Sequence, residues 1–224
     1  MKCSLHASTG VSISGLVNGR VISPGCPLVL GSASPRRREL LTGLGIEHIV
    51  LPAQVVEDEQ PGERAVPYVE RIVEAKRVAV EQAVARQKID HAAILVADTT
   101  VVLGDEILGK PSDERDALRL LKKIAGREHT VLTRYAISIA GQAPLARTVS
   151  SQVTLRPASD ELLERYAHTG EGLDKAGAYA VQGLGAFLVR AISGSWSNVV
   201  GLPTCELVED LSALSLLGEF PRLR

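Results

Sequence analysis

The residue types able to do chemistry lie in short segments along the chain. They are Gly31-Ser32-Ala33-Ser34-Pro35-Arg36-Arg37, the acidic run Glu57-Asp58-Glu59, Lys76, Asp98, Gly109-Lys110-Pro111, and the glycine-rich stretch Lys175 to Gly183, which contains Gln182. In the first segment the apolar run Pro27-Leu28-Val29-Leu30 feeds into Gly31, and a helix opens at Pro35, where a missing N–H costs nothing. A helix N-terminus presents unpaired N–H groups and the positive end of its dipole, which suits phosphate. Ser32, Ser34 and the guanidiniums of Arg36 and Arg37 complete a cradle for a polyanion; the plainer alternative is a capped helix with solvated arginines. The P-loop pattern G-x-x-x-x-G-K-[ST] is absent.

Asp98 closes the apolar run Ala92-Ala93-Ile94-Leu95-Val96-Ala97. A carboxylate at the carboxyl end of a sheet strand can hold Mg²⁺ or orient a water, or it can simply cap a turn with Thr99. The acidic loop 55–63 is either a solvated loop or the source of a second metal carboxylate. Lys76 falls mid-helix, where a surface lysine is the default, whereas Lys110 sits between glycine and proline in a stiff loop that holds a compact cation. A glutamine amide such as Gln182 both donates and accepts, so it can read a base edge or hold a water, although its stretch reads equally as a surface loop. Serines, guanidiniums, lysines and carboxylates without a His/Cys cluster are the composition of a site for a phosphorylated substrate with Mg²⁺.

These residues need a scaffold that alternates strands and helices. Strands are expected at 27–30, 47–51 and 92–98 (continuing toward Val102), then 129–139 and 145–155. Strand-like pieces follow at 178–181 and 186–192 within a looped glycine-rich region. Helices are expected from Pro35 to Gly43 or Gly45, and from Ala65 to Lys88 on the apolar spacing of Val69, Ile72, Val73, Val80 and Val84. A third runs to about Ala125 behind a Ser112 or Asp113 cap, a fourth from a Ser159 cap to about His168, and the last from Pro203 to about Leu217. The alternation indicates an α/β class, and the adjacent strand pair after residue 129 argues for a mixed sheet.

Composition narrows the function classes. The chain has 224 residues, 45% hydrophobic and 23% charged, enough to bury its own core as one domain. A formal charge of −1 and only 3% aromatics argue against a nucleic-acid-binding surface, including an RNA contact through Arg36–Arg38. Cys3, Cys26 and Cys205 form no C-x-x-C pair or even framework, and they read as inert thiols of a reducing cytoplasm. The five histidines are too widely spaced for a zinc pattern and read as hydrogen-bonded surface or core residues, while Trp196 reads as a packing residue. No apolar run is long enough to cross a membrane. Residues 1–26 read as a flexible N-terminal extension and 27–224 as a single domain.

In six ordered segments the chain resembles the Maf family of nucleoside triphosphate pyrophosphatases. These are GSASPRRRELL at 31–41, PYVERIVEAK ending in Lys76, ADTTVVL at 97–103, GKP at 109–111, DKAGAYAVQG at 174–183 and VVGLP at 199–203. The resemblance spans about Leu28 to Leu211. It implies an α/β fold similar to that of inosine-triphosphate pyrophosphatases, an elongated mixed sheet flanked by helices with two lobes and a central cleft. It also implies a homodimer and a divalent-metal-dependent enzyme, served by Mg²⁺ or Mn²⁺, that releases a nucleoside monophosphate and pyrophosphate. The family's phosphate-binding serines and arginines fall on Ser32, Ser34, Arg36 and Arg37, its lysines on Lys76 and Lys110, its central aspartate on Asp98 and its glutamine on Gln182. Its loop carboxylate falls on Glu57 or Asp58. On this mapping Asp98 is the expected water-activating base, and Asp98 with Glu57 the expected metal ligands. Ser34-Pro35-Arg36-Arg37 and Gln182 are similar to the dTTP/UTP branch rather than the 7-methyl-GTP branch. The rival reading is a non-catalytic nucleotide-binding regulator of septum formation.

Overall fold

In the computed structural model, which describes residues 20–221, the apolar runs assemble into one seven-stranded sheet. Strand β1 (Leu28–Leu30) pairs in parallel with β2 (His48–Val50) and β3 (Ala93–Leu103). The rest is antiparallel: β4 (Glu106–Leu108) and β5 (Glu128–Ser138) on β3, β6 (Leu145–Leu155) on β5, and β7 (Val189–Ser193) on β6. The mixed sheet flanked by helices agrees with the sequence reading.

Strand β3 organises the fold. One edge is occupied along residues 94–102 by β5. The other edge is shared: β1 takes Ala93–Leu95, β4 takes Val101–Leu103, and the stretch between them, which holds Asp98, has no strand neighbour on that side among the described residues. Asp98 therefore lies in the middle of a strand, and the place where β1 ends opens the sheet at it. A crevice where strand pairing diverges is where α/β sheets bind ligands.

The same strand feeds two separate cores. Its first half, Leu95 and Ala97, packs with Leu30, Leu41, Tyr135 and Leu207. Its second half, at Val101, packs with Leu108, Leu121, Ile124, Val153 and Tyr166. Helix α1 (Pro35–Gly43) and α6 (Thr204–Ala213) serve the first core; α3 (Glu114–Ile124) and α4 (Asp160–Ala167) serve the second. On the opposite face the long helix α2 (Ala65–Gln87) lays Val73, Val80 and Val84 on Ile94 and Val96, and Val69 on Val102. Each such side chain contributes about 1.5–3 kcal/mol by leaving water. Asp113 and Ser159 cap α3 and α4 by accepting from the N–H groups of Asp116 and Leu162.

Several expectations are corrected. Residues 178–181 form no strand: Ala176–Ala178 is a 3₁₀ turn with Gly177 at φ +72 and Ala178 at φ +60, a conformation no strand ladder admits. Leu184–Leu188 is likewise a 3₁₀ turn, and only Val189–Ser193 is extended. A short helix α5 (Trp196–Val200), capped by Ser195, and the three-residue β4 escaped the sequence reading, and α6 ends at Ala213. Trp196 is 47% exposed and does not fill a core. Of the expected extension, residues 1–19 lie outside the described residues. Residues 20–26 join the fold, with Ile22 buried and its N–H donated to the Leu216 carbonyl at 2.8 Å. Cys26 and Cys205 are free thiols. Among the described residues no helix is long and apolar enough to cross a membrane.

Candidate active site

Helix α2 buries a stripe at Val69, Val73, Lys76, Val80 and Val84, so Lys76 takes a place where the spacing calls for a hydrophobe. It is 7% exposed, not the surface lysine that mid-helix position suggests. Its ammonium reaches Asp98 Oδ1 at 2.7 Å and Glu57 Oε1 at 2.6 Å. The Lys110 Nζ stands 3.5 Å from Glu57 Oε2. Two carboxylates and two ammoniums thus alternate across the opening of the sheet.

Glu57 comes from the acidic loop, which is tied down. The Tyr68 hydroxyl donates to the Glu57 carbonyl at 3.0 Å, Arg71 donates to the Asp58 carbonyl at 2.9 Å, and Arg71 also clasps the Glu63 carboxylate. That geometry turns the Glu57 side chain, rather than that of Asp58, into the cavity. Burial works against ionisation of Glu57, but hydrogen bonds and charge from Lys76 and then Lys110 hold its carboxyl below the ordinary range.

The loop from β1 to α1 is shaped by Gly31, where a Cβ would come within 2.7 Å of Val80 and Val96 methyl groups. Pro35 occupies the first turn of α1 as expected, but Ser34 makes no side-chain cap hydrogen bond. Ser32 Oγ instead accepts from the Ser34 N–H at 3.3 Å and from Arg37 at 2.9 Å. Arg37 is buried, donating also to the Gly201 carbonyl at 2.7 Å and to Thr99 Oγ1 at 3.0 Å. Burial pushes its guanidinium below the ordinary value while the charges of Asp98 and Glu57 pull it back; at such a high starting point it stays cationic. Arg36 is the freer of the two, with its guanidinium 3.6 Å from Asp174.

Ser32, Ser34, Arg36, Arg37, Glu57, Lys76, Asp98, Lys110 and Gln182 all line one cavity of about 540 Å³. It lies between the two cores. The wall also holds Lys175 and Tyr179, from the glycine-rich stretch singled out in the sequence, and Thr99, Glu171, Asp174 and Gly201, to which the sequence reading gave no individual role in a site. Most fall inside the quoted DKAG and VVGLP segments, so the signal was present at the level of the segment. Thr99 follows Asp98 and, by strand alternation, faces the other side of the sheet, where it meets Arg37 and Thr133 Oγ1 at 2.8 Å. Among the described residues no group of three or more His, Cys, Asp or Glu could hold a metal by itself. Asp98 and Glu57 nevertheless offer hard oxygen donors on one cation, the set by which Mg²⁺ is bound when substrate phosphates complete its shell.

The sequence pattern of the family described as Maf-like protein matches residues 27–214. The chain belongs to the Maf family. Its relatives include the dTTP/UTP pyrophosphatase of Hahella chejuensis, 45% identical over 81% of this chain and 89% of that protein. It is also similar to the dTTP/UTP pyrophosphatase of Geobacter sulfurreducens, 42% identical over 85% of this chain and 97% of that protein. The Myxococcus xanthus protein of the same name is 46% identical over 84% and 93%. Among solved structures, this Maf chain overlaps a nucleoside-triphosphatase / dITP/XTP pyrophosphatase from Mycobacterium abscessus with TM-score 0.40 and 10% identity. That overlap covers 84% of this chain and 94% of the other.

Proposed function

We propose that this Maf protein hydrolyses dTTP and UTP between the α and β phosphates, releasing the nucleoside monophosphate and pyrophosphate. The observation that carries the reading is the meeting of the Lys76–Asp98–Glu57 group, the Ser32/Arg36/Arg37 cradle and Gln182 in one cavity. Relatives named as dTTP/UTP pyrophosphatases at 42–46% identity support it.

The cradle binds the β and γ phosphates. Arg37, locked by Ser32, Thr99 and Gly201, fixes its shape, and the freer Arg36 leaves Asp174 for a phosphate oxygen. Lys76 engages Asp98 Oδ1, which leaves Oδ2 to accept a proton from the attacking water. Arg36, Arg37, Lys76 and Lys110 stabilise the charge that builds on the departing pyrophosphate. Asp98 and Glu57 are the residues that would hold a divalent cation, Mg²⁺ or Mn²⁺. When bound, that ion supplies phosphate neutralisation and a lowered pKa for water. Gln182, exposed at the rim, reads the pyrimidine edge with an amide that both donates and accepts. The enzyme acts as a cytoplasmic homodimer that removes excess or modified pyrimidine triphosphates.

Pyrophosphate release from a panel of nucleoside triphosphates, with Mg²⁺, Mn²⁺ or EDTA, tests this. Metal-dependent cleavage of dTTP and UTP is the expected result. Cleavage of 7-methyl-GTP in their place would overturn the base assignment, and bound nucleotide without turnover would make the protein a nucleotide-binding regulator.

A further inference from the structure

The segment carrying Gln182 is neither helix nor strand, yet its backbone is held at both ends by two side chains from outside it. The Ala180 N–H donates to the Tyr166 hydroxyl oxygen at 3.1 Å. On the far side, the Leu184 N–H donates to Glu171 Oε1 at 2.8 Å and the Gly185 N–H to Oε2 at 2.7 Å. The two holders are themselves joined, since the Tyr166 hydroxyl donates to Glu171 Oε2 at 2.8 Å. The loop lies so close that a Cβ at Gly183 would stand 2.4 Å from Glu171 Oε1, and one at Gly185 would stand 2.3 Å from the Tyr166 oxygen. Gly183 has φ +85, so glycine is required there by conformation as well as by space. Gln182 is the exposed residue at the apex between these anchors, and Glu171 lines the cavity beside it.

From this geometry we infer that Glu171, with Tyr166, is a positioning residue for Gln182 and through it a determinant of nucleobase selection. The inference rests on Gln182 reading the base. A carboxylate with acceptors on both oxygens suits two adjacent N–H groups and a hydroxyl, and charge-assisted bonds of this kind are the strong ones. An amide in its place has a single acceptor oxygen and must turn an NH₂ group toward a donor, freeing one end of the loop. Neither side chain needs to touch the base: fixing the Val181–Gly183 backbone fixes where the Gln182 amide points.

The test uses Glu171→Gln, Tyr166→Phe and Gln182→Ala in the full chain, with UTP and CTP as substrates. Inorganic tripolyphosphate, which has no base, serves as a competitive inhibitor reporting the phosphate end alone. For Glu171→Gln, kcat/KM for UTP should fall about tenfold, mainly through KM, with the UTP/CTP ratio falling toward that of Gln182→Ala. The tripolyphosphate inhibition constant should stay within about twofold. Adding Glu171→Gln to Gln182→Ala should not lower the ratio further, because both act on one contact. Tyr166→Phe keeps the edge contact with Phe187 and should move the ratio the same way by a smaller factor, which preserves the test should Glu171→Gln not fold. Equal losses for UTP, CTP and tripolyphosphate would mean a purely structural role and overturn the inference. If Gln182→Ala itself leaves the ratio unchanged, the reading of Gln182 fails and the inference with it. If Gln182→Ala lowers the ratio and neither other variant does, the inference alone fails.

Discussion

Lys76 Nζ and Asp98 Oδ1 meet at 2.7 Å across the seam where α2 packs on β3, within a helix stripe otherwise made of Val69, Val73, Val80 and Val84. A valine or leucine there would fit the stripe, so the buried ion pair sits where packing alone calls for an apolar contact. Removing one member of a buried pair costs more than the pair itself contributes, because the survivor is left desolvated without its partner.

Lys76→Met therefore leaves Asp98 without its ammonium partner and Glu57 with Lys110 alone, at 3.5 Å. Urea unfolding should show a loss of about 3 kcal/mol, and the Lys76→Met/Asp98→Asn double variant should recover part of it. Mg²⁺ should raise the thermal midpoint of Lys76→Met more than that of the wild type, since a cation then replaces the ammonium. No difference in the Mg²⁺ response would remove Asp98 and Glu57 from the proposed metal site.

Asp98→Asn separates chemistry from folding. Lys76 keeps Glu57 at 2.6 Å, so the thermal midpoint should stay within a few degrees, while the proposed proton acceptor is gone. The expected fall in kcat is about a thousandfold. Turnover near the wild-type rate would refute the role given to Asp98.

Gln182→Glu keeps the length of the side chain and removes its donor. The kcat/KM for dTTP and UTP should drop about tenfold or more, and cleavage of 7-methyl-GTP, whose guanine edge offers donors to a carboxylate, should gain. Unchanged selectivity would show that this position does not read the base.

His129, behind the cavity-lining Tyr179, supplies a pH dependence of stability. It is buried on β5, with its Nε2 at 2.8 Å from the Tyr179 hydroxyl and, among the described residues, no partner for Nδ1, and burial pushes its pKa down to about 4. The unfolded chain binds this proton near pH 6.5, so the stabilisation is complete above 6.5 and is lost as pH falls toward 4. The loss approaches about 3 kcal/mol. Urea midpoints between pH 7 and 4 should show this slope in the wild type and a shallower one in His129→Gln; equal slopes would place the acid sensitivity elsewhere.

Much of the scaffold was legible because its signals are local. The apolar run at 27–30, Gly31 and Pro35 together encode a strand, a tight loop and a helix start. Asp113 and Ser159 encode caps, and the α2 stripe shows in the spacing of its valines. The segments quoted for the Maf resemblance likewise held eight of the nine expected residues that the fold brings to one cavity, and the ninth, Glu57, came from the acidic loop, where Asp58 was the alternative. What escaped was set by partners distant in sequence. The three-residue β4 exists because β3 offers it an edge, and α5 is too short to carry a periodicity. Residues 178–181 look extended yet begin in a 3₁₀ turn with Gly177 and Ala178 at positive φ, against α4 and the turn after it.

The sequence by itself determined the α/β class, the strand–Gly31–Pro35 helix start and the inventory of charged groups, because each is written in residues within a few positions of one another. The tertiary structure alone decided that Lys76 is buried between Asp98 and Glu57, that Glu57 rather than Asp58 turns inward, and that Glu171 and Tyr166 hold the Gln182 loop. Those relationships join residues 5 to 41 positions apart and come from which edge of β3 stays open and what then packs into the gap. No local periodicity carries that information.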